Sequence, residues 1–396
     1  MLPKDPWLLP DGIEEVLPDD AVHLEALRRQ LLDAFNCWGY DLVIPPLIDY
    51  LSSLLTGTGH DLDLQTFKFT DQLSGEMLGV RADMTPQVAR IDAHSLRHDA
   101  PTRLCYAGTV LHTVSDPMEH SRSPMQIGAE IYGHQGKESD LEIIQLMLEM
   151  LAIAGIENVH LDLGHVGIYG ALSKQAGLNS QQESELFDIL QRKANTELVA
   201  LMETYDIDES FKTLFLSLPK LNGGNEVLST AAKVFANAND DIKQALAELQ
   251  SIAEHLNIIF PSLAINFDLA ELRGYHYHTG VVFAAFIPSV GREIARGGRY
   301  DNIGGVFGRA RPATGFSADL KFLASLTKAT HVKSSKEIVF APYSNEPQLL
   351  EKIRDLRANG TTVIQELPNQ NGGAKALNCT AQLEKDNQNW LVKPLV

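Results

Sequence analysis

The chain has little of what would tie it to an oxidising compartment, a membrane or a polyanion. Three cysteines, Cys37, Cys105 and Cys379, are odd in number and far apart in 396 residues. Neither a disulfide framework nor a metal knuckle is expected from them. No apolar run approaches the ~20 residues that a membrane span needs, and residues 281–287 are followed directly by Pro288. The opening Met1-Leu-Pro-Lys-Asp-Pro6 lacks the charged-then-apolar order of a secretory signal, so a cytoplasmic address is expected. Basic residues are outnumbered 33 to 51, for a formal net charge of −18. A surface of that sign repels nucleic acid unless a local basic groove overcomes it. Internal repeats and low-complexity tracts are also missing. What remains is an ordinary globular composition, 44% hydrophobic and 21% charged, long enough for two or three units with ample core.

Periodicity then places the elements. Leu24, Leu27, Leu31 and Phe35 recur at helical spacing between Pro18 and Gly39, and residues 40–46 read as a strand entering a Pro-fixed turn. Residues 66–70 and 76–81 pair as a hairpin, and Thr85-Pro86 opens a helix as N-cap and first helical residue. Residues 103–111 and 124–132 form two strands around a polar loop. Alternation in the second puts Gln126, Gly128 and Glu130 on one face. An inward carboxylate needs partners, because burying one unpaired is costly, and a bound amino acid would supply them. Otherwise that face is solvated. Residues 166–256 are helical and read as an insertion. Strands return at 264–269, 279–287 and 292–295, and residues 315–326 run from strand to helix. The expected division is 1–327, with that insertion, and a short α/β unit over 328–396.

The chemistry gathers in Leu272-Arg-Gly-Tyr-His-Tyr-His-Thr-Gly-Val-Val-Phe283, with Asp268 before it and Gly297-Gly-Arg-Tyr-Asp301 behind. Arg answers a carboxylate in a bidentate way and aromatic rings wall an imidazole, so this stretch suits a small zwitterion. Asp83 and Thr85 either receive an ammonium group or simply cap their helix. Arg292, Arg296, Arg299, Arg309 and Arg311 make a basic cluster whose ordinary fate is surface pairing.

Arg273-Gly274 with Tyr277 and Thr279-Gly-Val-Val-Phe283 resembles the first histidine-specific motif of histidyl-tRNA synthetases. Ala295-Arg-Gly-Gly-Arg-Tyr-Asp-Asn302 resembles the second. The helix and extended segment over 18–46 resemble the first class II synthetase motif, which builds the dimer interface. The resemblance implies an α+β fold, a class II antiparallel sheet flanked by helices. It also implies that Asp83, Thr85 and Gln126 hold the α-ammonium of histidine and that Glu130 faces the imidazole. Arg273 would lie near the carboxylate, Tyr277 and His278 along the ring, and His112 and Tyr300 in the pocket wall. Asp83 replaces the family's Glu, and His278 a usual Tyr.

Activation of an amino acid by ATP needs cations where charge develops on the phosphates. Threading on the synthetase pattern puts His112 at the arginine that holds the α-phosphate, Phe322 at the second arginine, and Asp319 at a Gly. A pocket that keeps its histidine contacts without this machinery resembles the regulatory subunits of ATP phosphoribosyltransferase. That resemblance implies no catalytic activity, cofactor or metal of its own, and L-histidine as an allosteric effector. It implies a short-form catalytic subunit as partner in the first step of histidine biosynthesis. Inhibition follows when histidine is bound and activation when it is absent. Self-association at least to a dimer is expected, with neither nucleic acid nor membrane as partner. The tail from His331 onward looks like a shortened anticodon-binding domain. The rival is an active histidyl-tRNA synthetase or another histidine-activating ligase, which would show histidine-dependent ATP–pyrophosphate exchange.

Overall fold

A computed structural model describes residues 7–55, 60–114, 121–270, 277–327, 337–387 and 389–395. The chain divides into two compact units, 1–327 and 328–396. Among the described residues, the first unit is built on a nine-stranded sheet. Its order is Asp41–Leu42, Thr102–Thr109, Met125–Tyr132, Ala313–Asp319, Ala295–Arg299, Val281–Phe286, His160–His165, Ala264–Asp268 and Asn222–Gly223. Pairing is antiparallel except between Asp41–Leu42 and Thr102–Thr109 and between His160–His165 and Ala264–Asp268. The second parallel pair follows from the helical segment that intervenes, because parallel neighbours need a long crossover.

The helix Pro18–Cys37 buries Leu24, Leu27, Leu31 and Phe35, and Phe35 meets Phe316 of the sheet edge-on at 6.0 Å. Lys137–Ile153 buries most of its length against the same face, where Ile143, Ile144, Met147 and Met150 are fully enclosed. Full burial of one such side chain is worth about 1.5–3 kcal/mol, so these two helices fix the sheet's back. The sheet's other face carries the polar cluster described below. From Val166 to Ile259 the chain is helical apart from Asn222–Gly223, and Asn179 caps one helix with a full capping box. The strand expected over 40–46 shrinks to Asp41–Leu42. Pro45 and Pro46 have no N–H for a ladder, and the Pro45 carbonyl is taken by the Arg81 guanidinium at 2.6 Å.

A separate sheet of three strands, among the described residues, is ordered Ile48–Tyr50, Met77–Val80, Phe67–Thr70. Its register pairs Ile48 and Phe67 with Val80, and Tyr50 and Phe69 with Leu78. Six apolar residues therefore share one face. That face is open: Ile48, Tyr50 and Phe69 are 45%, 51% and 40% exposed.

The second unit orders its strands Thr362–Gln365, Ile338–Ala341, Ala381–Asp386, Asn389–Pro394, with the helix Pro347–Ala358 burying Leu349 and Ile353. The strand Ala381–Asp386 escapes the sequence reading because only Ala381 and Leu383 turn inward from an otherwise polar run. Among the described residues, no helix is long and apolar enough to cross a membrane.

Candidate functional site

The site forms where Thr102–Thr109, Met125–Tyr132 and Ala313–Asp319 lie side by side. Register places Glu130 between Leu104 and Gly315, Gly128 between Tyr106 and Ser317, and Gln126 between Gly108 and Asp319. The glycines make the room. A Cβ on Gly315 would sit 1.4 Å from Glu130 Oε2, and one on Gly128 would meet the Tyr106 hydroxyl at 2.5 Å. Both clash with fixed groups, so each strand needs a bare backbone at that step.

Glu130 is 1% exposed and fully partnered. Tyr106 donates its hydroxyl to Oε1 at 2.9 Å and Thr85 donates to the same oxygen at 3.4 Å. Tyr300 donates to Oε2 and lies 3.3 Å from the Tyr132 hydroxyl. Burial disfavours the carboxylate more than the Tyr300 and Tyr106 hydroxyls favour it, and the pKa rises to about 8. At neutral pH the group holds a proton. Tyr277 stacks on Tyr300 with ring centroids 4.9 Å apart, and its buried hydroxyl has no hydrogen-bond partner among the described residues.

Beside this group, Gln126 bridges two contacts. Its Nε2 donates to Asp83 Oδ1 at 2.8 Å, and its Oε1 accepts from the Met84 N–H at 2.8 Å. Asp83 Oδ1 also accepts from the Thr85 N–H at 2.8 Å. The N-cap position of the Thr85–Arg90 helix falls on Met84, without a side-chain cap, and Asp83 takes the N–H of the helix's first residue. Thr85 turns its hydroxyl to Glu130 and Tyr106 instead. This corrects the expected N-cap. Gln126 and Glu130 also have partners within the protein, where three hydroxyls and an aspartate converge on them.

His278 stands edge-on to Tyr277 at 5.3 Å and points Nδ1 at the Arg299 carbonyl, 3.3 Å away. Burial lowers its pKa to about 4, so the ring is neutral. His112 lies apart from the Glu130 group, with Nε2 2.9 Å from the Ala82 carbonyl. Arg273 falls outside the described residues.

The arginines expected as a cluster disperse, each toward its own neighbour. Arg299 is buried on Asp140 at 2.8 and 3.1 Å and also reaches Ser139 and the Gly136 carbonyl. Burial works against its charge, but Asp140 and Asp301 hold its pKa above the usual value. Arg311 is buried on Asp92 at 2.8 Å, while Arg296 pairs with Glu293 and Arg309 with Asp99 near the surface. Arg292 lies over the Phe322 ring, 3.7 Å from its centroid. Asp319 caps the following helix through the Lys321 N–H at 3.0 Å and also accepts from the Met125 N–H at 3.0 Å. Lys321 donates to the Ser123 carbonyl at 2.7 Å.

Sequence reasoning missed Tyr106 and Tyr132. The signal was present in the alternation Leu104, Tyr106, Gly108, which is in step with Gln126, Gly128, Glu130 on the neighbouring strand. Asp140, in the first turn of Lys137–Ile153, is the buried counter-charge of Arg299.

Comparison with known proteins now adds to this geometry. The family model described as histidyl-tRNA synthetase matches residues 12–323, and one described as ATP phosphoribosyltransferase subunit HisZ C-terminal domain matches 336–393. A protein of Methylococcus capsulatus described as an ATP phosphoribosyltransferase regulatory subunit is 56% identical over 392 residues, 99% of this chain and 97% of the relative. The chain belongs to the ATP phosphoribosyltransferase regulatory subunit family. A second member, from Thioalkalivibrio sulfidiphilus, is 54% identical over the full length of both chains. Among solved structures, an ATP phosphoribosyltransferase regulatory subunit/histidyl-tRNA synthetase from Bacillus halodurans aligns with a TM-score of 0.82. It is 27% identical and covers 96% of this chain and 97% of that one. The histidyl-tRNA synthetase of Nostoc sp. PCC 7120, at 17% identity and TM-score 0.76 over 96% of this chain and 92% of that one, shares the fold. The second model thus covers the short unit that follows the linker.

Proposed function

We propose that this regulatory subunit binds L-histidine at the Glu130 cluster and conveys feedback inhibition to a short-form ATP phosphoribosyltransferase catalytic subunit. Without histidine the same contact activates that partner. The observation that carries the reading is a buried, tyrosine-ringed carboxyl at the position that faces the imidazole in the histidyl-tRNA synthetase pattern. Asp83, Thr85 and Gln126 supply oxygens for the α-ammonium. Tyr277 offers a ring face and a hydroxyl without a partner among the described residues, with His278 and Tyr300 in the wall and Arg273 assigned to the carboxylate. His112 is assigned to the wall only through the resemblance.

Proton bookkeeping follows from Glu130. The empty site holds a proton up to about pH 8. An entering neutral imidazole takes that proton and leaves a carboxylate–imidazolium pair, the stronger hydrogen bond. Below the imidazole's own pKa of ~6.5, binding releases one proton. Above about 8 it takes one up. Affinity is greatest between these limits.

Coupling to the partner requires only a typical ~1–3 kcal/mol difference in its affinity for the two states of the site. The open apolar face formed by Ile48, Tyr50 and Phe69 supports self-association at least to a dimer. The assignment is to the cytoplasm, where the catalytic partner meets its substrates.

Titration calorimetry of histidine into the isolated chain tests the proposal. Saturable binding that is lost in Glu130→Ala is expected. No heat at millimolar histidine overturns it, as does steady histidine-stimulated conversion of ATP to AMP.

A further inference from the structure

Among the described residues, three arginines are buried: Arg81, Arg299 and Arg311. Arg299 and Arg311 each meet a buried aspartate, Asp140 and Asp92. Arg81 has carbonyls instead. Its Nε donates to the Thr109 carbonyl at 2.9 Å and its Nη1 to the Pro45 carbonyl at 2.6 Å. Among the described residues, no carboxylate pairs with it. Carbonyl dipoles orient a guanidinium without cancelling its charge, and burial lowers its pKa from the ordinary value. An arginine stays protonated all the same, so the fold holds a buried positive charge without a counter-ion.

The position of that charge points to its anion. Arg81 Nη2 is the end of the guanidinium with no acceptor among the described residues. It overlies Gly108, where a Cβ would meet it at 2.5 Å and the Met84 sulfur at 3.4 Å. Gly108 lies opposite Gln126, and directly opposed residues of an antiparallel pair project to the same face about 5 Å apart. Nη2 therefore stands on the face that carries Gln126, the residue whose amide holds Asp83. The backbone here is fixed as well. The Arg81 N–H donates to the Leu47 carbonyl, and the Arg81 carbonyl accepts from the Leu111 N–H, both at 3.0 Å. A free α-amino acid carries its ammonium and its carboxylate on one carbon. A site that offers Asp83 to the first is complete only with a cation close by for the second.

We propose that Arg81 takes the α-carboxylate of histidine through Nη2 and makes the site selective for the free amino acid over analogues without that group. The proposal rests on the histidine reading above. Arg81 is then a second cation for the group to which the resemblance assigns Arg273. The bound carboxylate supplies the missing counter-charge through a charge-assisted hydrogen bond.

The test titrates L-histidine and L-histidinol, whose hydroxymethyl group replaces the carboxylate, into the full-length chain. Wild type should bind histidinol at least about tenfold more weakly, the worth of a hydrogen bond between charged groups. Arg81→Gln should lose most of that difference, chiefly by weakening histidine. Because Arg81→Gln also gives up the carbonyl contacts, Gly108→Ala serves as a second variant: its methyl displaces Nη2 while the charge stays. It should narrow the difference too. A difference that persists in either variant, folded by circular dichroism, overturns the proposal and leaves the histidine site standing. That includes an equal loss for both ligands, which marks a disturbed Asp83 and not a lost cation. Wild type that binds histidinol as tightly as histidine also overturns it. Wild type that binds neither ligand overturns both readings together.

Discussion

Two ends of one strand teach different things. Ala313–Asp319 passes Glu130 at Gly315 and Gln126 at Asp319. At the first end the fold gives up side chains to make room for a carboxyl and its three hydroxyl donors. At the second, the residues that the sequence resemblance assigns to the triphosphate positions all have structural work. Asp319 caps a helix and receives Met125, and Lys321 is tied to Ser123. Phe322 lies under Arg292, and His112 is set on the Ala82 carbonyl. On the proposed reading the carboxyl that faces the imidazole lies opposite Gly315, while the recognition residue Gln126 lies opposite Asp319, so the two ends touch at Gln126. A chain can convert the second to framework while the first stays intact. Arg292 does bring a guanidinium to that second end from elsewhere in the sequence, but its face is spent on a ring.

That contrast can be broken at several points. The largest effect is expected behind the recognition end. Arg299→Ala leaves Asp140 buried without its counter-charge and should lower unfolding stability by about 3–5 kcal/mol, read by denaturant titration. Next, Glu130→Ala should cost about 3 kcal/mol of histidine affinity, roughly a hundredfold or more in Kd by calorimetry, because the imidazolium loses its charge-assisted partner.

The third effect depends on pH. Unfolded, the Glu130 carboxyl releases its proton near 4.5; folded, it keeps the proton to about 8. The wild type should therefore lose about 1.4 kcal/mol of stability per pH unit as pH rises through that window, relative to Glu130→Gln. Equal slopes for the two proteins would remove the raised pKa from the account. His278 acts on the acid side. Its neutral form is favoured in the fold, so its contribution is lost as pH falls from 6.5 towards 4.

The smallest effect lies at the framework end. Asp319→Ala should cost about 1 kcal/mol, an ordinary helix cap, with histidine affinity unchanged in the same calorimetric assay. A large change in affinity there would show that the two ends are not separate.

Much of this was legible in the residues. Alternation placed Gln126, Gly128 and Glu130 on one face, and helical spacing marked the core side of Pro18–Cys37. What was not legible depended on distant partners. Nothing local in Leu104-Cys-Tyr-Ala-Gly108 says that Tyr106 will reach a carboxyl on the next strand. Nothing local to Arg299 or Arg311 says that each will be buried on an aspartate more than 150 positions away in sequence. A run of arginines reads as surface because pairing partners that arrive through the fold have no periodicity. The Thr85 cap failed for a related reason: the helix begins at Thr85 itself, and its hydroxyl turns to Glu130 on a distant strand.

Gly315 carries a consequence beyond the fold. Any substituent there would intrude on Glu130 and on the Ala129 carbonyl of the neighbouring strand. On the proposed reading, a single added methyl there weakens histidine binding and releases the inhibition that histidine conveys.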